Sequence, residues 1–186
     1  NPLWPFETIL RMPKVSLQSP DLVQRHVNAY LLSYWMKDVI GSTELKSLTC
    51  GAFFVTQSQP SLADRFATWC EQHSELTPDY LDEAVQSIVA RSVLTNTRRG
   101  VLIQQTGAQM RGAATEWFKE YDAAKAQMVF LEGSNSMALR AMQVQMRRIE
   151  EEYLLSELAT RRFLPGYGFP TDIVSFDNRS RFTIKQ

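Results

Sequence analysis

The chain has 186 residues, 44% hydrophobic and 22% charged, which places it among ordinary globular proteins and outside the disordered, collagen-like and low-complexity classes. Lys+Arg is 20 and Asp+Glu is 20, so no global positive field draws it to nucleic acid or acidic membrane. Any nucleic-acid contact must therefore come from a local patch.

Residues 1–18 read as an extended arm. Pro2, Pro5 and Pro13 each fix φ and remove a backbone donor, while Trp4, Phe6, Ile9 and Leu10 favour packing against a folded body. The chain opens Asn1-Pro2-Leu3-Trp4 without Met, as expected of a processed chain or a piece of a longer one. Residues 19–162 read as a helical domain. Ser19-Pro20-Asp21 is a start signal: a capping hydroxyl, a proline at the first helical position and an acid at the positive end of the dipole. Leu22, Val23, Val27, Tyr30, Leu31, Tyr34 and Trp35 then recur at helical spacing to about Met36. Thr43–Lys46 suggests one short turn, and Gly51–Thr56 a short strand or packed loop.

Ser61, with Asp64 three residues on, opens a second helix whose stripe is Leu62, Phe66, Trp69 and Cys70. Thr77-Pro78-Asp79 opens a third, with Tyr80, Leu81, Ala84, Ile88, Val89 and Val93. The longest pattern spans about Arg98 to Leu131. Its near-heptad seam is Leu102, Thr106, Met110, Ala113, Trp117, Tyr121, Ala124, Met128 and Leu131, interrupted by Gly107 and Gly112. Gly133-Ser134-Asn135 stops it, and a partner helix is expected from about Met137 to Arg162. Two long helices with a short connection pack antiparallel. The expected architecture is therefore mainly α: a long antiparallel helical hairpin packed with shorter helices. Residues 163–186 read as a junction and a short C-terminal β-hairpin leading into a following domain. In the junction, Leu164, Tyr167 and Phe169 anchor a Gly- and Pro-rich turn as a packed, rigid piece.

The chemistry is sparse. No G-x-x-x-x-G-K-[ST] phosphate loop occurs, and Gly166-Tyr167-Gly168 follows a helix where a phosphate cradle would precede one. Cys50 and Cys70 are too few for a disulfide scaffold or a four-cysteine zinc site, and read as buried free thiols of a reducing, cytoplasmic compartment. No apolar run reaches the roughly 20 residues that span a bilayer, so no membrane is expected as a partner. No metal ligand set and no cofactor site is expected within the chain. His26, beside Arg25, reads either as part of a phosphate-touching cluster or as an ordinary half-buried helix histidine; His73 reads as a last-turn cation. In an antiparallel hairpin Arg98 and Arg99 would meet Arg161 and Arg162 at one end. That corner reads either as a nucleic-acid phosphate site or as charge placed near helix termini.

Two segments carry a resemblance. Val15-Ser16-Leu17-Gln18-Ser19-Pro20-Asp21-Leu22-Val23-Gln24-Arg25-His26-Val27-Asn28-Ala29 resembles a stretch downstream of the motor in a group of large superfamily 2 helicases. Arg162-Phe163-Leu164-Pro165-Gly166-Tyr167-Gly168-Phe169-Pro170-Thr171-Asp172-Ile173-Val174 is similar to the signature that follows it there, before a C-terminal cysteine-rich zinc-binding domain. Tyr153–Ala159 fits just upstream. These helicases belong to bacterial anti-phage systems of the Druantia and DISARM kinds, Druantia being slightly closer. The resemblance implies an accessory helical segment between motor and zinc domain that braces the motor and lines the path of DNA or docks a defence-system partner protein. ATP and Mg would belong to the parent motor and zinc to the parent C-terminal domain. No helicase motif lies in this chain, so no catalytic residue transfers. The competing reading is a free-standing helical adaptor that binds another protein through its long hairpin.

The missing phosphate loop makes one outcome concrete. Calorimetry of this chain with ATP and Mg²⁺ should show no binding, and micromolar binding would overturn the reading.

Overall fold

The computed structural model describes residues 18–41, 48–55, 60–131 and 136–166. The N-terminal arm, the Thr43–Lys46 turn and the expected β-hairpin lie outside those residues. The described chain is mainly helical. In order, its helices are α1 (Pro20–Tyr34), α2 (Cys50–Phe54), α3 (Leu62–Glu75), α4 (Asp79–Val89), α5 (Arg99–Leu131), α6 (Ser136–Glu151) and α7 (Leu154–Thr160), with a π-helical turn at Trp35–Val39 after α1.

The start signals act as expected. The Leu22 amide donates to Ser19 Oγ at 3.4 Å. The Asp64 amide donates to Ser61 Oγ at 3.1 Å, and that hydroxyl donates back to Asp64 Oδ2 at 2.7 Å. α1 buries Val23, Val27 and Leu31, and the π turn then lets Trp35 and Met36 both enter the core. The Ile40 amide closes that wider turn on the Trp35 carbonyl at 3.0 Å, and Gly41 ends it with φ +73.

α5 is the spine. Leu102, Thr106, Met110, Ala113, Trp117 and Ala124 of its seam are buried, as the period requires. Its first half runs antiparallel to α3. Ser74 lies beside Gly100, Ala67 and Cys70 lie beside Gly107, and Glu71 pairs with Arg111 at 2.9 Å. Two glycines set this distance. A Cβ on Gly100 would collide with the Ser74 carbonyl, and one on Gly107 would stand 3.1 Å from the Ala67 carbonyl. Gly112, by contrast, faces open space. The second half of α5 pairs with α6, where the Tyr121 hydroxyl donates to Glu150 Oε1 at 2.9 Å. Burial raises the Tyr121 pKa, and the Glu150 carboxylate adds to it.

Aromatic side chains join these layers. Trp117 stacks on Phe54 at 5.0 Å and on Tyr121 at 4.9 Å, tying α2 to the middle of α5. Trp35 meets Phe66 edge-on at 5.4 Å, tying the end of α1 to α3.

The structure corrects three expectations. Residues 50–54 are helical: Thr49 Oγ1 accepts from the Ala52 amide at 3.3 Å, and the turn buries Phe53 and Phe54 together. The stripe of α4 is Leu81, Val85 and Val89, which leaves Tyr80 and Val93 about half exposed. The last long helix is broken at 152–153. There Tyr153 is extended and bridges Thr49, the Cys50 amide donates to the Glu152 carbonyl at 2.9 Å, and the Leu154 amide donates to the Leu48 carbonyl at 2.9 Å. Pairing with a distant extended segment outcompetes two more helical residues.

The two glycine environments generate opposite expectations. Gly100→Ala should lower the Tm by several degrees, because backbone must move. Gly112→Ala should raise stability by up to about 1 kcal/mol, the helix-propensity gain at an exposed interior position. Thermal melts of the two variants check both signs.

Candidate nucleic-acid interface

Two polar residues sit on the apolar face of α1. Gln24 is 4% exposed and Asn28 is fully buried, each next to a core valine. A buried amide must find partners or lose about 1–3 kcal/mol per orphaned group. Asn28 finds four. Its Oδ1 accepts from Gln24 Nε2 at 3.0 Å and from the Thr106 hydroxyl at 2.7 Å. Its Nδ2 donates to Gln109 Oε1 at 2.7 Å and to the Phe163 carbonyl at 2.9 Å. Gln24 Nε2 also donates to the Leu102 carbonyl at 3.0 Å, while Gln24 Oε1 is left without a hydrogen bond. The network thus joins α1, α5 and the segment after α7. Phe163 and Leu164 are buried beside it, and Pro165 is buried as well. The expected junction is packed as far as Pro165; Tyr167 and Phe169 lie outside the described residues.

The turn that delivers Phe163 has its own geometry. The Arg162 amide donates to the Ala159 carbonyl at 3.0 Å and the Phe163 amide to the Leu158 carbonyl at 2.8 Å. This is a Schellman stop, sealed by buried Leu158 and Phe163. Its left-handed position is usually glycine. Here it is Arg162, with φ +60, at a cost of about 1 kcal/mol relative to glycine.

Arg162 lines a depression of about 350 Å³ together with Arg25, Arg161, Gln109, Gly112 and the carboxylates Asp21 and Glu116. Arg25 and Arg162 are therefore brought together. Neither guanidinium has an ion pair or hydrogen bond among the described residues. Arg161 differs. Its side chain is 8% exposed and lies 2.6 Å from Glu157, 3.0 Å from Glu120 and 3.7 Å from Glu116. Burial opposes its charge, but the Glu157 and Glu120 carboxylates outweigh that and hold its pKa above the ordinary value. Arg161 is a cross-brace between α5 and α7.

The four arginines expected at one hairpin end do not meet. Arg161 touches Glu116, which stands about 25 Å along α5 from Arg99 at 1.5 Å per residue. The break at 152–153 is the cause, because it turns the chain off α5 before the start of that helix is reached. Arg98 is exposed at that start. Arg99 donates to the Thr95 and Thr97 carbonyls and ties down the turn before α5. His26 is half-buried on α1 and does not line the depression.

The remaining candidates are structural. His73 Nδ1 donates to the Trp69 carbonyl at 2.8 Å, and its ring lies 4.5 Å from that indole. Cys50 and Cys70 are buried free thiols. Burial, with Glu157 and Glu152 nearby, pushes the Cys50 thiol up to about 12, and burial raises Cys70 as well. Neither is a poised nucleophile. Among the described residues no cluster of metal-ligating side chains occurs, and no helix is long and apolar enough to cross a membrane.

The buried amides escaped the sequence reading, although their signal was present: Gln24 and Asn28 are spaced i,i+4 within the apolar stripe. Gln109, exposed on α5, carried none. Comparison with family models, curated proteins and solved structures finds no match to this chain.

Asn28→Ala would remove the donor to the Phe163 carbonyl and one of the acceptors of Thr106 and of Gln24, which both keep the Leu102 carbonyl. Denaturant unfolding should show a loss of about 3 kcal/mol. A loss below about 1 kcal/mol would show that the network does not hold the junction.

Proposed function

We propose that the chain is an accessory helical segment of an ATP-dependent DNA helicase or translocase of the bacterial anti-phage kind. In this reading it braces the motor and stands before a cysteine-rich zinc-binding domain. The observation that supports it is the 2.9 Å hydrogen bond from Asn28 Nδ2 to the Phe163 carbonyl. It joins the two segments that carry the resemblance, which lie 135 residues apart in the chain. A brace needs its entry and exit locked together, so that a load arriving at α1 leaves through the Phe163 junction without bending the helices between. A buried, directional amide supplies that lock better than apolar packing, which tolerates sliding.

A second reading has its own observation. Phe130 and Met137, on the two helices of the hairpin near its tip, are 84% and 80% exposed. Large apolar side chains at the end of a helical hairpin suit an adaptor that binds another protein there.

The flanking coding sequence discriminates. Motor motifs upstream and paired cysteines downstream are expected for the brace; a short, self-contained reading frame would favour the adaptor. In the full-length enzyme, Asn28→Ala should leave DNA-stimulated ATP hydrolysis within about twofold and cut translocation at least tenfold. Equal loss of both, or of neither, would remove the bracing role.

A further inference from the structure

We infer that Arg25 and Arg162, with the amide of Gln109, form a site for a single backbone phosphate of nucleic acid in the depression above Gly112. The inference deepens the proposed function by naming where DNA would touch this chain.

Three observations converge. The first is backbone strain. The Schellman stop after α7 needs a left-handed residue, glycine would supply it at no cost, and the chain places Arg162 there with φ +60. Strain retained where a cheaper residue fits points to the side chain as the reason. The second is charge without a partner. The guanidiniums of Arg25 and Arg162 line the same depression, and among the described residues neither is paired. Arg161 lies in the same wall, but its three carboxylates already satisfy it. Glu116 belongs to that Arg161 cluster, so Asp21 is the one lining carboxylate without a cationic partner. Of the charged groups lining the depression three are cations and two are carboxylates, Arg25 and Arg162 being the two cations without a partner.

The third is a prepared donor. Gln109 Oε1 accepts from Asn28 at 2.7 Å. Gln109 itself lines the depression, and with its oxygen engaged by Asn28 the amide nitrogen is the group not used in that bond. The floor is open too, since a Cβ on Gly112 would meet nothing within 4 Å. Two guanidiniums and a neighbouring amide are the donor types that recognise a phosphodiester. A backbone phosphate needs no base readout, so the site is indifferent to sequence.

The test measures anisotropy of a labelled 20-nucleotide single strand titrated with the 186-residue chain, from 50 to 200 mM salt. Arg162→Gly removes the guanidinium and relieves the backbone, so its melting temperature should hold or rise while affinity falls about three- to tenfold. Arg25→Gln should lose a similar factor, and each variant should flatten the salt slope by about 0.7 for single strands. Gln109→Leu should weaken binding less, with little change of slope. Arg98→Gln serves as the distant control and should bind as the parent does. Millimolar inorganic phosphate should compete weakly; full displacement at that level would assign the site to a free anion and overturn the proposal. So would a wild-type chain that does not bind the strand, or an Arg162→Gly variant that binds unchanged. The two readings fail separately. Arg-dependent binding in a chain whose gene lacks a motor keeps the site and removes the helicase reading; a motor gene with an indifferent Arg162 does the reverse.

Discussion

The structure hangs on the Asn28 side chain. It is fully buried, and all of its hydrogen-bonding capacity is used, across three separate stretches of chain. Apolar packing around it is extensive but undirected: Val23, Val27 and Leu31 would tolerate small rotations of α1. The amide does not. Turning α1 by one residue would bury an unpaired side-chain amide and also expose the Phe163 carbonyl to apolar surroundings. Register between α1, α5 and the Phe163 turn is thus set by polar geometry within a mixed aliphatic and aromatic core.

That core explains how one helix serves two neighbourhoods. The first half of α5 is pressed against α3 through Gly100 and Gly107, where backbones approach closely. The second half leaves α3 and meets α6, the edge of α2 and, through Arg161, the end of α7. Burial follows the change: Trp117 is 1% exposed, whereas Phe130 near the far end is 84% exposed. Two links, the Tyr121–Glu150 bond and the Arg161 cross-brace, tie this half to its neighbours. Both links are made where α5 leaves the body.

Periodicity made the helices legible, and chemistry at their ends made the starts legible. The α5 seam was read position by position because its period persists over many turns. Ser19 and Ser61 announced their helices because a hydroxyl before an acidic first turn has few other uses. The misreadings share a physical cause, namely competition from distant chain. Residues 50–54 look extended by composition, yet Thr49 caps them and Trp117, far along the sequence, receives Phe54. Nothing within Arg148–Leu155 declares a break; it exists because Leu48 and Thr49 arrive there. An unbroken helix would carry Arg161 toward Arg98, and the break at 152–153 leaves it beside Glu116 and Glu120. The pairing of Arg25 with Arg162 was hidden for the same reason. It depends on which side of α5 the chain returns to.

A net charge of zero covers cations in different settings. Arg161 and Arg111 are spent on glutamates of neighbouring helices, and Arg99 on loop carbonyls. Arg161 and Arg111 are neutralised by carboxylates within hydrogen-bonding distance, whereas the carbonyls around Arg99 solvate its charge without cancelling it. Arg25 and Arg162 are not cancelled in this way, and they stand together. At physiological ionic strength a field reaches about 8 Å. A ligand at the depression therefore feels its lining and little of the rest, and the balance over the whole chain has small bearing on what binds there. The same turn that carries Arg162 also delivers Phe163 to Asn28. Arg162 at the depression and Phe163 at the junction are consecutive residues of one turn. A phosphate drawn between Arg25 and Arg162 would pull α1 and the Phe163 turn toward each other, along the direction in which Asn28 already holds them.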